Sequence, residues 1–336
     1  MNNSLNRFLN NKVSLKNKTN FALIIGLSPS KGARSPILWN NAYKFYGKKT
    51  RMHPADLSEK KLKKLCEYLK SEKYFLGSSV TVPYKEKIMR YLDNIDKNAK
   101  AIGSINTIVN KQGKLFGLNT DYYGSLHSLK KIKITRTKKN ILIFGCGGAG
   151  KACIVSVVNF FKNSKILIFN RNKIKLKNFV KRAEVKNNNT IKNFSNLSNL
   201  KNIKKLDLII NCTSIGFDSW IKKDGYFNLK NFSPISKIKI RKVNNKTLNH
   251  FINKNKNELK KNVKETIDFL MKFNDLKIFD IIYQPTNTIL MKAGSILGHK
   301  TINGLEMNFM QAVEAFKIVN KIKNREKIMK GMKNGK

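Results

Sequence analysis

Residues 140–151 read NILIFGCGGAGK, and the reading of this stretch decides the fold. Asn140 to Phe144 is a short apolar run, as a strand buried on both faces requires. It breaks at Gly145-Cys146-Gly147-Gly148-Ala149-Gly150, and helical spacing follows from Lys151 to Phe161. Strand, glycine turn and helix in direct succession predict the opening βα unit of a Rossmann-type sheet. The glycines permit a tight turn and let backbone N–H groups approach a pyrophosphate at the positive end of a helix. Gly145, Gly147, Gly148, Ala149 and Gly150 are therefore candidate dinucleotide contacts. A purely structural glycine turn is the alternative.

Outward from this turn the rhythm repeats. Strands are expected at Lys165 to Asn170, Leu206 to Asn211 and Lys277 to Tyr283, with helices between them. That alternation predicts a doubly wound parallel α/β sheet. Past the first of these strands the chain runs Asn170-Arg171-Asn172, then Lys173 and Lys175. In a Rossmann unit this strand end faces the adenosine ribose, where a carboxylate would bond the free 2′-hydroxyl of NAD. None is present. Arg171, and with less weight Lys175, suit a 2′-phosphate, so NADP(H) is the expected cofactor.

The N-terminal half forms an αβ unit of its own. FALIIGL at 21–27 reads as a buried strand, and Ser35 to Gly47 as a helix with Ile37, Leu38, Ala42 and Phe45 on one face. Leu57 to Leu69 is a second helix with Leu62, Leu65, Cys66 and Leu69 inward. GSSVTV at 77–82 is a strand stopped by Pro83. Ile105 to Val109 and Leu115 to Gly117 form a hairpin around Gln112-Gly113. The expected domains are a substrate-binding unit over 21–130, completed by a C-terminal helix over 306–322, and a nucleotide unit over 131–305. Residues 1–20 read as a polar, frayed tail. Residues 218–268 read as a Lys/Asn-rich excursion with one helix near Glu258 to Leu270, dispensable for chemistry.

Composition narrows the classes. At 336 residues with 41% hydrophobic content, the chain can build two cores. No apolar run approaches the ~20 residues of a membrane span, and the first twenty residues lack the core of a secretory signal. A cytoplasmic location follows by elimination. Cys66, Cys146, Cys153 and Cys212 show no metal-ligand spacing and read as small buried hydrophobes; no metal is expected. The net charge of +48 is spread over the whole chain without a basic stripe interleaved with aromatics. It reads as composition bias, as AT-rich codons would produce, rather than as a nucleic-acid footprint. It would still attract anionic ligands.

Further motifs place polar groups at strand ends: Val80-Thr81-Val82-Pro83-Tyr84-Lys85, Gly103-Ser104-Ile105-Asn106-Thr107 and Gly117-Leu118-Asn119-Thr120-Asp121. A lysine there can act as acid or base, and the short polar groups suit a polyhydroxylated ring. Taken singly, each could be a turn residue. Together and in this order, they resemble the shikimate dehydrogenase family over roughly residues 21–217 and 276–318. Gly26 through Asn40, with Ser35-Pro36, resembles the family's opening Ser-x-Ser-Pro motif. Ser79 through Lys85 resembles its Asn-Val-Thr-x-Pro-x-Lys. Asn211-Cys212-Thr213-Ser214-Ile215-Gly216 resembles its Asn-Ala-Thr-Ser-x-Gly, and Asp280 through Pro285 its Asp-x-x-Tyr-x-Pro. Gly304 through Ala312 resembles the closing Gly-x-x-Met segment and its Gln.

The resemblance implies an NADP-dependent reduction of 3-dehydroshikimate to shikimate, in monomer or homodimer. Lys85 and Asp121 take the catalytic places. Ser35, Thr81, Asn106, Tyr283 and Gln311 take those that bind a small anionic cyclic hydroxy acid. Thr213, Ser214 and Gly304 join the glycine turn around the cofactor. The sequence departs from the family at Gly32, Ala33, Ser79 and Glu306. Ala33 removes one of the two serines that hold the substrate carboxylate in the family. Either Lys31 or Arg34 replaces that bond, or the pocket fits a different ligand. Two other readings stand beside this one: a paralogue acting on quinate, aminoshikimate or another cyclic hydroxy acid, and a catalytically silent NADP-binding regulatory protein.

Overall fold

The computed structural model describes residues 2–182, 188–217, 221–223, 226–228, 231–239 and 248–334. Its chain divides into two compact units, residues 1–124 with 308–336 and residues 125–307. The division falls inside two helices, so the boundaries expected at 130/131 and 305/306 move to Gly124/Ser125 and Met307/Asn308.

The first unit begins with α1 (Asn2–Asn6), β1 (Phe21–Gly26), α2 (Ser35–Phe45), β2 (Arg51–Asp56), α3 (Leu62–Ser71) and β3 (Phe75–Val80). Next come β4 (Asn94–Ile95), α4 (Lys97–Ile102), β5 (Thr107–Lys111), β6 (Lys114–Leu118) and the start of α5 (Asp121–Lys131). The sheet order is β2-β1-β3-β5-β6-β4. The β1–β2 and β1–β3 pairs are parallel, whereas β3–β5 and β5–β6 are antiparallel. Every residue of β1 is buried, because alternate side chains feed two cores. Phe21, Leu23 and Ile25 join one core with Leu62, Leu65 and Leu69 of α3. Ala22 and Ile24 join the other, with Leu38, Trp39, Ala42 and Tyr43 of α2.

Two expectations are corrected here. Residues 2–20 are not a frayed tail: Leu5, Phe8, Leu9 and Val13 are buried in the first core. Asn10 N–H donates to the Asp56 carbonyl at 2.7 Å, and the Asn11 amide donates to the Pro54 carbonyl at 2.9 Å. These bonds fasten the segment to β2. The buried face of α2 is also rotated from the expected one. Ile37 is 66% exposed, while Trp39 and Tyr43 pack on Phe316 at ring centroid distances of 5.3 and 5.0 Å.

The second unit contains β7 (Asn140–Phe144), α6 (Gly148–Phe160), β8 (Lys165–Phe169), α7 (Lys173–Arg182), β9 (Thr190–Phe194) and β10 (Leu208–Asn211). A small hairpin follows, β11 (Ile221–Lys223) with β12 (Tyr226–Asn228). Then come α8 (Leu248–Leu270), β13 (Lys277–Asp280), α9 (Ile289–Ile296) and β14 (Lys300–Ile302). The main sheet is wholly parallel, in the order β14-β13-β10-β7-β8-β9. Its order reverses between β7 and β10, the place where such sheets open a ligand crevice. The chain closes with α10 (Leu305–Val319) and α11 (Arg325–Lys333), whose residues Phe309, Phe316, Ile328 and Met332 fill the second core of the first unit.

The excursion at 218–268 is corrected as well. Residues 218–220, 224–225, 229–230 and 240–247 lie outside the described residues. The remainder includes α8, which starts ten residues earlier than the helix expected near Glu258 and is structural. Phe251, Phe269 and Leu270 are buried, and Ile235 joins the core formed by Leu142, Phe144, Ile209 and Ile278. The four cysteines are buried, and none is joined in a disulfide. Among the described residues, no helix is long and apolar enough to cross a membrane, and no His/Cys/Asp/Glu group is placed to hold a metal ion.

Candidate active site

In the first unit, four chain segments converge on one polar network. Lys85 lies in the turn that follows β3. Its carbonyl is held by Ile105 N–H at 2.6 Å, which ties the turn to the segment before β5. Lys85 Nζ donates to Asp121 Oδ2 at 2.6 Å. Asp121 is the first residue of α5 and is buried, where a carboxylate also complements the helix N-terminus. Asn106 sits just before β5. Its amide nitrogen lies 3.0 Å from Asp121 Oδ1, 2.9 Å from Thr120 Oγ1 and 3.2 Å from Gln311 Oε1. Its amide oxygen accepts from Thr120 N–H at 2.7 Å, so the Asn106 side chain is locked from both ends. Gln311 comes from α10, and its amide donates to the Asn308 carbonyl at 2.9 Å.

Lys85, Asp121, Asn106 and Gln311 are thus brought together. Thr120 joins them, although the sequence marked it only as part of a motif. Ser35 opens α2 and is buried, but its hydroxyl takes no part in that network. Thr81 holds the same turn through backbone bonds, from its N–H to the Ile25 carbonyl at 2.9 Å and from Tyr84 N–H to its carbonyl at 3.0 Å. Arg34 donates from Nη1 to Asn308 Oδ1 at 3.2 Å, a contact across 274 positions of sequence. Asn308 itself stands one turn before Gln311 on α10, and that spacing was the only available signal.

The second unit carries the nucleotide residues. Gly145 follows β7 with φ +96°, a conformation that favours glycine. A Cβ there would fall 2.9 Å from Thr213 Cγ2 and 3.0 Å from the Cys212 carbonyl, so the turn after β7 is packed on the one after β10. Asn211 shapes that second turn, accepting from Thr213 N–H at 3.0 Å and Thr213 Oγ1 at 2.8 Å. Ser214 is exposed beside it. Gly147 caps α6 without any side-chain bond, and a Cβ on it would meet nothing within 4 Å. That open space at the N-terminus of a thirteen-residue helix fits a pyrophosphate, so the glycine turn suits a dinucleotide. Gly148 and Ala149 open the same helix, and Gly150 packs against the Gly145 carbonyl. Asn170 Oδ1 accepts from Cys146 N–H at 3.2 Å, which orients the turn. Arg171 is exposed, and Lys175 lies on α7.

Gly304 has a packing reason of its own: a Cβ would lie 1.8 Å from the Ile281 carbonyl oxygen. Tyr283 is half-buried beyond β13, in this unit rather than in the unit of Lys85. Glu306, where the sequence departs from the Gly-x-x-Met pattern, lies 3.1 Å from Lys131 Nζ and 3.0 Å from His127 Nε2. Asp280 ends β13. Its carboxylate accepts from Asn211 Nδ2 at 3.1 Å, Ile282 N–H at 3.0 Å and Thr288 Oγ1 at 2.8 Å. Burial pushes this carboxyl up to about 6, against hydrogen bonds that favour the ionised form.

A folded value above the unfolded one means that the native state binds the extra proton between about pH 4 and pH 6. Stability should therefore fall as pH rises through that window, by roughly 3 kcal/mol in total from this group. Urea midpoints of the native protein and of Asp280→Asn, measured from pH 4 to pH 7, check this. An identical slope in both proteins would remove Asp280 as its source.

Comparison with known proteins supplies an independent line. Residues 24–108 match the model of the shikimate dehydrogenase substrate binding domain. The chain is 32% identical over 311 residues to the shikimate dehydrogenase (NADP(+)) of Methanocaldococcus jannaschii, covering 91% of this chain and 94% of that one. It is 31% identical over 323 residues to the enzyme of the same name from Methanococcus maripaludis strain C7, covering 95% and 98%. A crystal structure of a shikimate dehydrogenase in complex with NADP+ superposes with a TM-score of 0.70 at 28% identity, over 96% of this chain and 97% of that one. The shikimate dehydrogenase of Aquifex aeolicus superposes at 0.68 with 26% identity, over 96% and 100%.

Proposed function

The chain belongs to the shikimate dehydrogenase family, and from that premise we propose that it interconverts 3-dehydroshikimate and shikimate with NADP(H). The observation that carries the reading is the part-buried Lys85–Asp121 ion pair at 2.6 Å inside a network of Asn106, Thr120 and Gln311. Such a network presents an ammonium and fixed amides to a hydroxylated ring. NADPH, when bound, supplies a hydride to the ring carbonyl carbon. Lys85 Nζ gives its proton to the oxygen that gains negative charge, and takes it back in the oxidative direction. Asp121 holds the ammonium in place through Oδ2, while Asn106 holds Asp121 through Oδ1. Proton transfer of this kind contributes about 10²–10⁴-fold. The protein is read as a cytoplasmic enzyme, monomeric or homodimeric, whose charge serves no nucleic acid.

NADP+ reduction measured with shikimate and quinate side by side tests the reading. Turnover of shikimate is expected. Turnover of quinate alone would make the chain a paralogue with another substrate, and cofactor binding without any turnover would make it a silent NADP-binding protein.

A cofactor prediction follows from the end of β8. The exposed Arg171 should hold the 2′-phosphate, because no carboxylate follows that strand. The native protein should prefer NADP(H) to NAD(H). Arg171→Ala should lower kcat/KM for NADP(H) about tenfold with little change for NAD(H), the effect of one charge-assisted bond at a solvated site. Equal kcat/KM with both cofactors in the native protein would overturn the assignment.

A further inference from the structure

We propose that Arg34 binds the carboxylate of the substrate and is the specificity-determining residue at that end of the site; the proposal rests on the reading of the chain as a dehydrogenase of a carboxylated ring. The polar network described above handles the hydroxyl end. It holds one ammonium, Lys85, and that group is bonded to Asp121. An anionic ring needs a second cation or several donors at its other end, since a carboxylate taken out of water without partners is costly.

The chain offers such a group one helical turn from Gln311. Arg34 Nη1 lies 3.2 Å from Asn308 Oδ1, and the Asn308 carbonyl accepts from Gln311 Nε2 at 2.9 Å. Gln311 Oε1 lies 3.2 Å from the Asn106 amide nitrogen, which reaches Asp121 and so Lys85. Hydrogen bonds therefore run unbroken from the guanidinium to the ammonium, with Gln311 between the two cations. Asn308 and Gln311, three apart on α10, stand about 5–6 Å from each other at Cβ, so Arg34 meets the same face of the helix as Gln311.

The same guanidinium sits on the residue before α2, an eleven-residue helix with no side-chain cap at its N-terminus. Buried Ser35 opens that helix, and its hydroxyl is not engaged by the network. Arg34 supplies the charge and a planar fork that matches a carboxylate, while the helix end and Ser35 supply secondary donors. Ala33 contributes no polar atom. On the loop between β1 and α2 this leaves Arg34 with Ser35 rather than a pair of hydroxyls. Lys31, the other cation of the loop, is exposed.

The test compares a carboxylate with its neutral counterpart. kcat/KM is measured for shikimate and for shikimate methyl ester with NADP+, in the native protein and in Arg34→Ala, Arg34→Lys and Ser35→Ala. If Arg34 binds the carboxylate, Arg34→Ala lowers the acid-to-ester ratio roughly ten- to a hundredfold, mainly through KM. Arg34→Lys should recover part of the ratio, since it keeps the charge without the fork, and Ser35→Ala should lower it less than Arg34→Ala does. A merely structural role would depress both substrates together and leave the ratio unmoved, which would overturn the proposal. A ratio that depends on Ser35 but not on Arg34 would overturn it as well. If the native protein neither binds nor turns over shikimate, the dehydrogenase reading falls and the proposal falls with it. If shikimate is turned over and the ratio ignores Arg34, only the proposal falls.

Discussion

Lys85→Ala should lower kcat by about 10²–10⁴-fold while NADP(H) binds as before. The loss lies in the chemical step, because no other lysine is bonded to Asp121 among the described residues, and the glycine turn that suits the cofactor belongs to the other unit. The alanine variant leaves a buried carboxylate without its cation, and such a change can cost stability as well as activity. Lys85→Gln separates the two effects. Its amide can still donate to Asp121 Oδ2, and Asn106 continues to bond Oδ1, so the fold should hold. The glutamine amide, however, has no proton to give to an alkoxide. Steady-state kinetics, a thermal melt and a titration with NADP+ on both variants check the expectation. Near-native kcat in a folded Lys85→Gln would show that the proton comes from elsewhere.

The polar network was legible in part: Thr120 and Asp121 stand between the end of β6 and the start of α5 and Asn106 just before β5, whereas Gln311, in the middle of α10, was reached only through the family resemblance. Asn119-Thr120-Asp121 follows β6 directly and Asn106 leads into β5, so their side chains are aimed by elements that the sequence could place. Asn308 was not legible, since its importance comes from Arg34, a residue 274 positions away. The same distance in sequence hid the buried face of α2. Ile37 and Phe45 fit a helical stripe as well as Trp39 and Tyr43 do, and only the ring of Phe316 decides between the two. The N-terminal segment did carry a sign: Leu5, Phe8 and Leu9 have the i, i+3, i+4 spacing of a helix face. Asparagines and lysines diluted it. β2 escaped because Pro54 interrupts its pattern; as an edge strand it tolerates the missing N–H.

The largest misreading concerned residues 218–268, and its correction gives a second strong expectation. A chain lacking this segment should not fold as a cooperative nucleotide unit. The reason is the inner face of α8. Phe251 is fully buried, and Phe269 and Leu270 share a core with Leu142 and Phe144 of β7, Ile209 of β10 and Ile278 of β13. Removing the helix would bare that face of the parallel sheet, the sheet whose central turn suits the cofactor. Polar groups on the same face bind it further. The buried Asn262 accepts from Ser233 N–H at 2.8 Å and donates to the Ser233 carbonyl at 3.0 Å, and it meets Ser236 Oγ at 2.7 Å. These bonds fix the loop that carries Ile235 into the core. A single substitution shows the effect without a deletion. Phe251→Ala should cost about 3–5 kcal/mol, the usual cost of truncating a buried phenylalanine. At roughly 2–4 °C per kcal/mol for a unit of this size, the melting temperature should drop by about 6–20 °C. Met271→Ser, at the exposed end of the helix, is the control and should stay within about 0.5 kcal/mol. If Phe251→Ala melts with the control, its burial adds nothing to stability; if the deleted chain unfolds cooperatively and still binds NADP+, the core that α8 closes is complete without it.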